Sequence, residues 1–168
     1  MVKLLRPLAL ASVVGAWLVI MVGGYTTTTG SGLGCRSVID CGETPLGPGA
    51  AAVETAHRIV AWVEGLLVLA LLVVVLRRHR EWRPVRNLTF LAFALIVAQG
   101  ALGMASVAAG WGDIDAPGLY PVLVTAHLGL ATAFLAVTVL NAAVIFWGAP
   151  PAPPGAVAPV SARPLESG

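Results

Sequence analysis

Two segments of this 168-residue chain repeat one another. Glu54-Thr55-Ala56-His57-Arg58-Ile59-Val60-Ala61 returns 70 residues later as Val124-Thr125-Ala126-His127-Leu128-Gly129-Leu130-Ala131. Two of the chain's three histidines therefore take matching places in two apolar runs. An ionisable or ligating side chain inside an apolar membrane helix is costly and marks a functional site by default. Imidazoles on two helices of one bundle suit a shared metal, and the iron of a haem held between helices fits such a pair best. An iron bonded to both needs ring nitrogens about 4 Å apart, from metal–imidazole bonds of ~2 Å.

The repetition breaks where it bears on chemistry. Glu54 in the first segment is Val124 in the second, so the hairpin itself does not require the acid. A carboxylate one helical turn from a haem ligand, in low dielectric, is a candidate general acid or base. The plainer reading makes Glu54 a first-turn residue that complements the helix dipole. Arg58 points about 100° away from His57 around the helix. It is either a side chain snorkelling to an interface or a partner for a haem propionate or a nearby carboxylate. Glu64 falls near the face of His57, about 10 Å deeper at 1.5 Å per residue.

These residues need elements to carry them. The composition is 58% hydrophobic and 11% charged, against about 25% charged in an ordinary globular domain. Four stretches, about Leu8–Tyr25, Ala51–Leu76, Leu88–Ala108 and Leu119–Trp147, are long enough to span a bilayer at ~20 residues each. The first exceeds the 7–15-residue core of a cleavable signal and reads as a retained helix. The expected fold is all-α: a polytopic membrane four-helix bundle. Residues 1–148 form the transmembrane haem-binding domain, and 149–168, rich in Pro and Ala, a disordered tail. Helix 1 is expected to start near Pro7 and end at Gly23-Gly24, and helix 2 to open after Pro48-Gly49. The histidines then lie roughly 9–14 Å from their helix starts.

Lys3 and Arg6 precede the first helix, and Arg77, Arg78, Arg80, Arg83 and Arg86 lie between the second and third. The other two connections hold only Arg36 among the basic residues, with Asp113 and Asp115 in the later one. The positive-inside rule then places both termini and the Arg-rich connection in the cytoplasm, in a cell-membrane protein. The same bias accounts for the net charge of +2, so no nucleic-acid partner is called for. His79, among the arginines, reads as a solvated bystander, and Trp82 as an interfacial anchor. Cys35 and Cys41 share the first outward connection, where disulfides persist, so a bridge is expected. It is either a staple on a Gly-rich loop or a redox pair exchanging with an external thiol protein.

Helices 1–2 and 3–4 read as two copies of one hairpin, with Gly24 matched to Gly100 at a spacing of 76 and the histidines at 70. A quasi-twofold bundle follows, with its first outer connection about six residues the longer. Gln99 suits an interhelical hydrogen bond. Gly100, Gly103 and Ser106 suit close helix approach.

The segment Thr29-Gly30-Ser31-Gly32-Leu33-Gly34-Cys35, then Cys41, then Glu54-x-x-His57-Arg58, resembles the first half of haem A synthases. Gln99-x-x-Leu102-Gly103, Pro121 and His127-Leu128 continue the likeness, over roughly residues 10 to 145. In that family eight helices form two similar four-helix halves, each with a histidine pair. One pair holds haem b as cofactor and the other positions the substrate, haem O, whose C8 methyl is oxidised to the formyl of haem A for terminal oxidases. The resemblance implies catalysis by Glu54, axial ligation by His57 and His127, and an external Cys35–Cys41 disulfide. It also implies a haem O synthase as a possible partner; the electron acceptor it leaves unnamed. Only four helices and one histidine pair occur here. The resemblance then implies a half-size member assembling into homo-oligomers, and leaves open which haem the pair holds.

Readings from other classes make different demands. A bis-histidine b-type cytochrome that only carries electrons has no use for an acid at Glu54. A quinone-linked thiol oxidase needs a second external cysteine pair, and the connection 109–118 has no cysteine. A non-catalytic assembly or haem-chaperone protein is compatible with the same residues.

Overall fold

The computed structural model describes residues 4–36, 41, 45–114 and 116–149, which include four long helices and one short turn of 3₁₀ helix. The helices are α1 (Leu5–Thr28), α2 (Gly47–Arg78), α3 (Arg83–Gly110) and α4 (Leu119–Trp147), and the 3₁₀ turn is Ser31–Leu33. All four helices are long and apolar enough to cross a membrane, and no strand occurs among the described residues. The chain is a multi-pass membrane protein. The expected tail lies, from residue 150 onward, outside the described residues, as does Asp115.

Every long helix carries a proline in its first turn: Pro7, Pro48, Pro84 and Pro121. The first backbone N–H groups of a helix have no internal acceptor, so proline costs nothing there and its fixed φ favours helix entry. Two expected boundaries therefore move. Helix α2 opens at Gly47, before Pro48-Gly49, and Arg83-Pro84 belongs to α3 rather than to the connection. Helix α1 runs through Gly23-Gly24 to Thr28 instead of ending there. The Thr run sustains it: the hydroxyls of Thr26, Thr27, Thr28 and Thr29 donate to the carbonyls of Val22, Gly23, Gly24 and Tyr25 at 2.8–3.0 Å. Such back-bonding hides a hydroxyl in an apolar setting.

The helices pack in a ring, α1 on α2, α2 on α3, α3 on α4 and α4 on α1; across the diagonals no backbone contact occurs among the described residues. The interior is unlike a soluble core. Trp62, Leu66, Val97 and Val122 point outward, each more than half exposed, while Ser12, Thr89, Gln99, Thr138 and Asn141 are buried. Lipid tails solvate apolar side chains as well as a core does, so close packing and hydrogen bonds hold such bundles together. Asn141 Nδ2 donates to Thr89 Oγ1 at 3.0 Å between α3 and α4. The Arg-rich end closes on Leu5, Ala9, Leu71, Val75, Trp82, Val85 and Ile145. Trp82 is thus core, 5% exposed, and not an interfacial anchor. His79, partly buried, caps α2.

The hairpin repeat is visible in burial. The four buried residues of α4, Phe134, Thr138, Asn141 and Ile145, each lie 70 positions after a buried residue of α2: Glu64, Val68, Leu71 and Val75. In α1 and α3 the buried pairs are Leu5/Val85, Ala9/Thr89, Ser12/Ala92 and Thr26/Ser106. Their spacing is 80, which corrects the 76 inferred from the Gly24/Gly100 match. The outer connections agree: 18 residues join α1 to α2 and eight join α3 to α4. The first outer connection is thus ten residues the longer, not about six, and it holds both cysteines.

Candidate functional site

His57 and His127 sit on the diagonal helices α2 and α4, where no backbone contact closes the space between their axes. They lie about 15 Å and about 12 Å from the first residues of their helices, at 1.5 Å per residue, on the disulfide side of the bundle. Each imidazole has a buried Nδ1 with no hydrogen-bond partner. Each also lies against a glycine of its own hairpin. A Cβ added at Gly23 would come within 2.9 Å of His57 Cε1, and one at Gly103 within 3.5 Å of His127 Cε1. Gly23 and Gly103 are 80 apart, in the register of the α1/α3 repeat. Gln99 Nε2 donates to the His127 carbonyl at 3.0 Å, so the expected interhelical bond goes to the histidine's own turn.

Two half-buried imidazoles on diagonal helices, each with a buried and unpartnered Nδ1, fit residues that would hold a haem iron. Among the described residues no group of three or more His, Cys, Asp or Glu gathers as for a protein-only metal site. Two hollows lie elsewhere in the bundle. One of about 470 Å³ runs along α4 beside Pro121, Val122, Thr125 and Ala126, and one of about 240 Å³ lies under the second outer connection.

Glu54 is buried, 3% exposed, and both of its oxygens are engaged. Oε2 accepts the Cys35 backbone N–H at 2.7 Å. Oε1 accepts from Arg58, from Nε at 3.1 Å and also from Nη2. Arg58 Nη2 donates to the Cys35 carbonyl at 3.4 Å. Of the two partners considered for Arg58, a propionate or a carboxylate, the structure supplies the carboxylate. Glu54 lies two turns inside α2, because the helix starts at Gly47, so the dipole-capping reading falls. Cys35 is bonded to Cys41, and its sulfur lies 3.7 Å from Thr55 Oγ1. The disulfide loop is thereby fastened to α2 one turn above His57.

Residues 30–36 of that connection roof the bundle. Gly30 has φ 68°, a conformation that favours glycine. Gly34 presses on the α2 backbone at Ala50, leaving no room for a Cβ. Leu33 reaches Gly110 at the end of α3, and Gly32 faces the Tyr120 hydroxyl on α4. Glu54 in turn bears electrostatically on Tyr120. Arg36 lies over the Trp111 ring at 5.8 Å and pairs with Asp113 at 3.8 Å, joining the two outer connections. The glycine run is thus a fitted cover over the histidine level, not a slack linker. Sequence reasoning passed over Tyr120 and Gly23. Tyr120 has no counterpart in the first copy, and Gly23 had been read as the end of a helix.

Residues 48–162 match the family model COX15-CtaA, described as cytochrome oxidase assembly protein. A protein of Lysinibacillus sphaericus (strain C3-41) named heme A synthase is 30% identical over 148 residues, covering 86% of this chain and 46% of the relative. Proteins of the same name from Bacillus cereus (strain AH187) and Bacillus anthracis (strain CDC 684 / NRRL 3495) are each 27% identical over 150 residues, 87% of this chain and 46% of theirs. The chain spans about half the length of these curated relatives. No solved structure matches it.

Proposed function

The chain belongs to the COX15-CtaA family of cytochrome oxidase assembly proteins, and from that premise we propose that it oxidises the C8 methyl of haem O to the formyl of haem A. The observation that carries the reading is a pair of half-buried imidazoles on diagonal helices, each with a buried and unpartnered Nδ1, with a buried carboxylate one turn outward from one of them.

His57 and His127 would be the residues that hold the iron. A bound haem supplies the redox-active iron. The Ser31–Leu33 turn, with Leu33 and Tyr120, keeps water from the outer mouth. Glu54 is the proton-transferring group at its carboxylate, with the Tyr120 hydroxyl within its electrostatic reach. We assign Arg58 to orienting Glu54 rather than to a porphyrin carboxylate. The disulfide fixes Cys35, whose N–H holds the other oxygen. One histidine pair serves where two are expected in an eight-helix relative. We therefore assign the second pair to a second copy in a homo-oligomer, with haem O delivered by a haem O synthase. Both termini face the cytoplasm in this reading and the disulfide loop faces outward.

One observation favours a second reading, the electron-carrying b-type cytochrome. Glu54 has a structural task in holding Arg58 and the disulfide loop, so its presence alone does not demand catalysis. Co-expression with a haem O synthase separates the two. Mass identification of the extracted haem should give haem A; haem B or unchanged haem O at full occupancy would favour the carrier.

A further inference from the structure

Glu64 is 1% exposed, and neither of its carboxyl oxygens has a hydrogen-bond partner. It lies about 10 Å inward of His57 along α2. Its carboxyl fills the notch left by the missing side chain of Gly15 on α1, where a Cβ would collide with Oε2. One turn inward on the same helix lies Ser12, 1% exposed, with its Oγ also unpartnered. Two carboxyl oxygens and a hydroxyl, all buried and unpartnered, thus occur within about one helical turn of the Gly15 notch.

The second hairpin shows that the fold does not need them. At the repeat spacings of 80 and 70, Ser12 corresponds to Ala92, Gly15 to Leu95 and Glu64 to Phe134. Ala92 and Phe134 are buried in the same register and form part of the central apolar cluster. One copy fills this level with apolar atoms, while the other keeps a carboxyl, a hydroxyl and a notch. An unpaired polar group in hydrocarbon is expensive, and a retained one marks a proton or ion pathway by default. Three oxygens are too few for a dehydrated metal cation, which takes 6–8 if calcium and six if magnesium. They suffice for a water molecule, which needs two to four polar partners.

We infer that Ser12, Gly15 and Glu64 form a proton-binding site in the membrane interior, which takes a proton and a water from the histidine side of the bundle. The exchange is –COO⁻ + H⁺ giving –COOH at Glu64, with Ser12 Oγ and the water as its hydrogen-bond partners. The direction of access follows from packing. Toward the Arg-rich end the bundle is shut by Leu5, Ala9, Leu71 and Val75. Outward lie His57 and the diagonal space. On α1, no ionisable group faces Glu64, Tyr25 being exposed near the outer end and Arg6 at the opposite end. On α2 the nearest are His57, Glu54 and Arg58. The only charged residues of α3 are Arg83 and Arg86 in its first turn, and α4 offers His127 and Tyr120, both outward. When a bound haem takes one electron from an external one-electron donor, uptake of one proton by Glu64 would balance the added charge, a part of the inference that rests on the proposed function.

Infrared spectroscopy of the purified full chain in nanodiscs tests the site without haem. The protonated-carboxyl C=O band should titrate with pH and shift in D₂O. Glu64→Gln and Glu64→Leu should abolish it, Ser12→Ala should shift it, and Glu54→Gln should leave it. Leu imitates the apolar second copy, so at least one folded variant is expected. A titrating band that survives both Glu64 substitutions, or no titrating band in the wild type, overturns the inference. A redox titration of haem-loaded protein adds the second arm. The midpoint should follow pH at up to one proton per electron, and Glu64→Gln should flatten it. A slope unchanged in Glu64→Gln removes Glu64 from charge balance. Failure to bind haem at all would instead strike the proposed function and leave the infrared result standing.

Discussion

The two hairpins share a burial register and differ in what they put there. Both carry a histidine against a glycine, His57 on Gly23 and His127 on Gly103. Only the first has Glu54 and Glu64 in place of Val124 and Phe134, and only the first has an 18-residue, disulfide-bonded outer connection. A bundle can thus hold a group symmetrically while keeping its ionisable residues on one side. Ligation needs two equivalent partners, whereas proton transfer needs one acid and a controlled path.

The largest effect tests the shared half of that comparison. His57→Ala or His127→Ala should abolish or strongly alter a low-spin haem spectrum in the purified protein, while His79→Ala should not. A normal spectrum in the double variant His57→Ala/His127→Ala would end the assignment of both ligands.

The unshared half is tested by Glu54→Gln. Gln still accepts the Cys35 N–H but cannot take a proton as a carboxylate does. Haem should remain bound while conversion of haem O falls ~10²–10⁴-fold, the usual contribution of a general acid or base. Wild-type conversion would remove Glu54 from the mechanism. Loss of haem and activity together would make it the structural clamp of Arg58 and Cys35. Glu64→Gln is not an inert control for this experiment, since Glu64 is itself buried and unpartnered.

A finer asymmetry lies in the glycines. Gly23→Ala forces a Cβ to 2.9 Å from His57, whereas Gly103→Ala meets His127 at an ordinary 3.5 Å. Overpacking costs typically ~1–3 kcal/mol. Gly23→Ala should therefore lower haem occupancy or perturb the haem spectrum, and Gly103→Ala should leave both near wild type. Equal effects from the two would mean that the hairpins hold their histidines alike.

Much of this was legible in the sequence because membrane helices obey few rules. Long apolar runs, the Thr-Ala-His repeat and two cysteines in one connection indicated four helices, a histidine pair and a bridge. What escaped was local geometry. Gly23-Gly24 read as a stop because nothing in the residue types shows that Thr26–Thr29 will bond back to the preceding turn and prolong the helix. The wrong α1/α3 spacing followed from choosing the glycine that faces nothing, Gly24, over the one that faces His57. The Cys35 N–H that Glu54 accepts was not legible, because the donor sits in a loop 19 positions away. Pairing across such a separation is a tertiary fact.

The smallest expected effect concerns Gln99, the second hairpin's own departure. Its counterpart at a spacing of 80 is Val19, which cannot hydrogen-bond through its side chain. Gln99 Nε2 donates to the His127 carbonyl, tying α3 to the turn that carries the ligand. Side-chain hydrogen bonds between membrane helices average ~0.6 kcal/mol. Gln99→Leu keeps the bulk and removes the donor, so thermal stability should fall by about that amount. His127 would lose a restraint that His57 never had. The haem signal should therefore broaden or shift through the His127 side alone, and combining Gln99→Leu with Gly23→Ala should give additive changes, because the two act on different hairpins. Strong non-additivity would show that the two imidazoles answer to one rigid group between them rather than to their own helices.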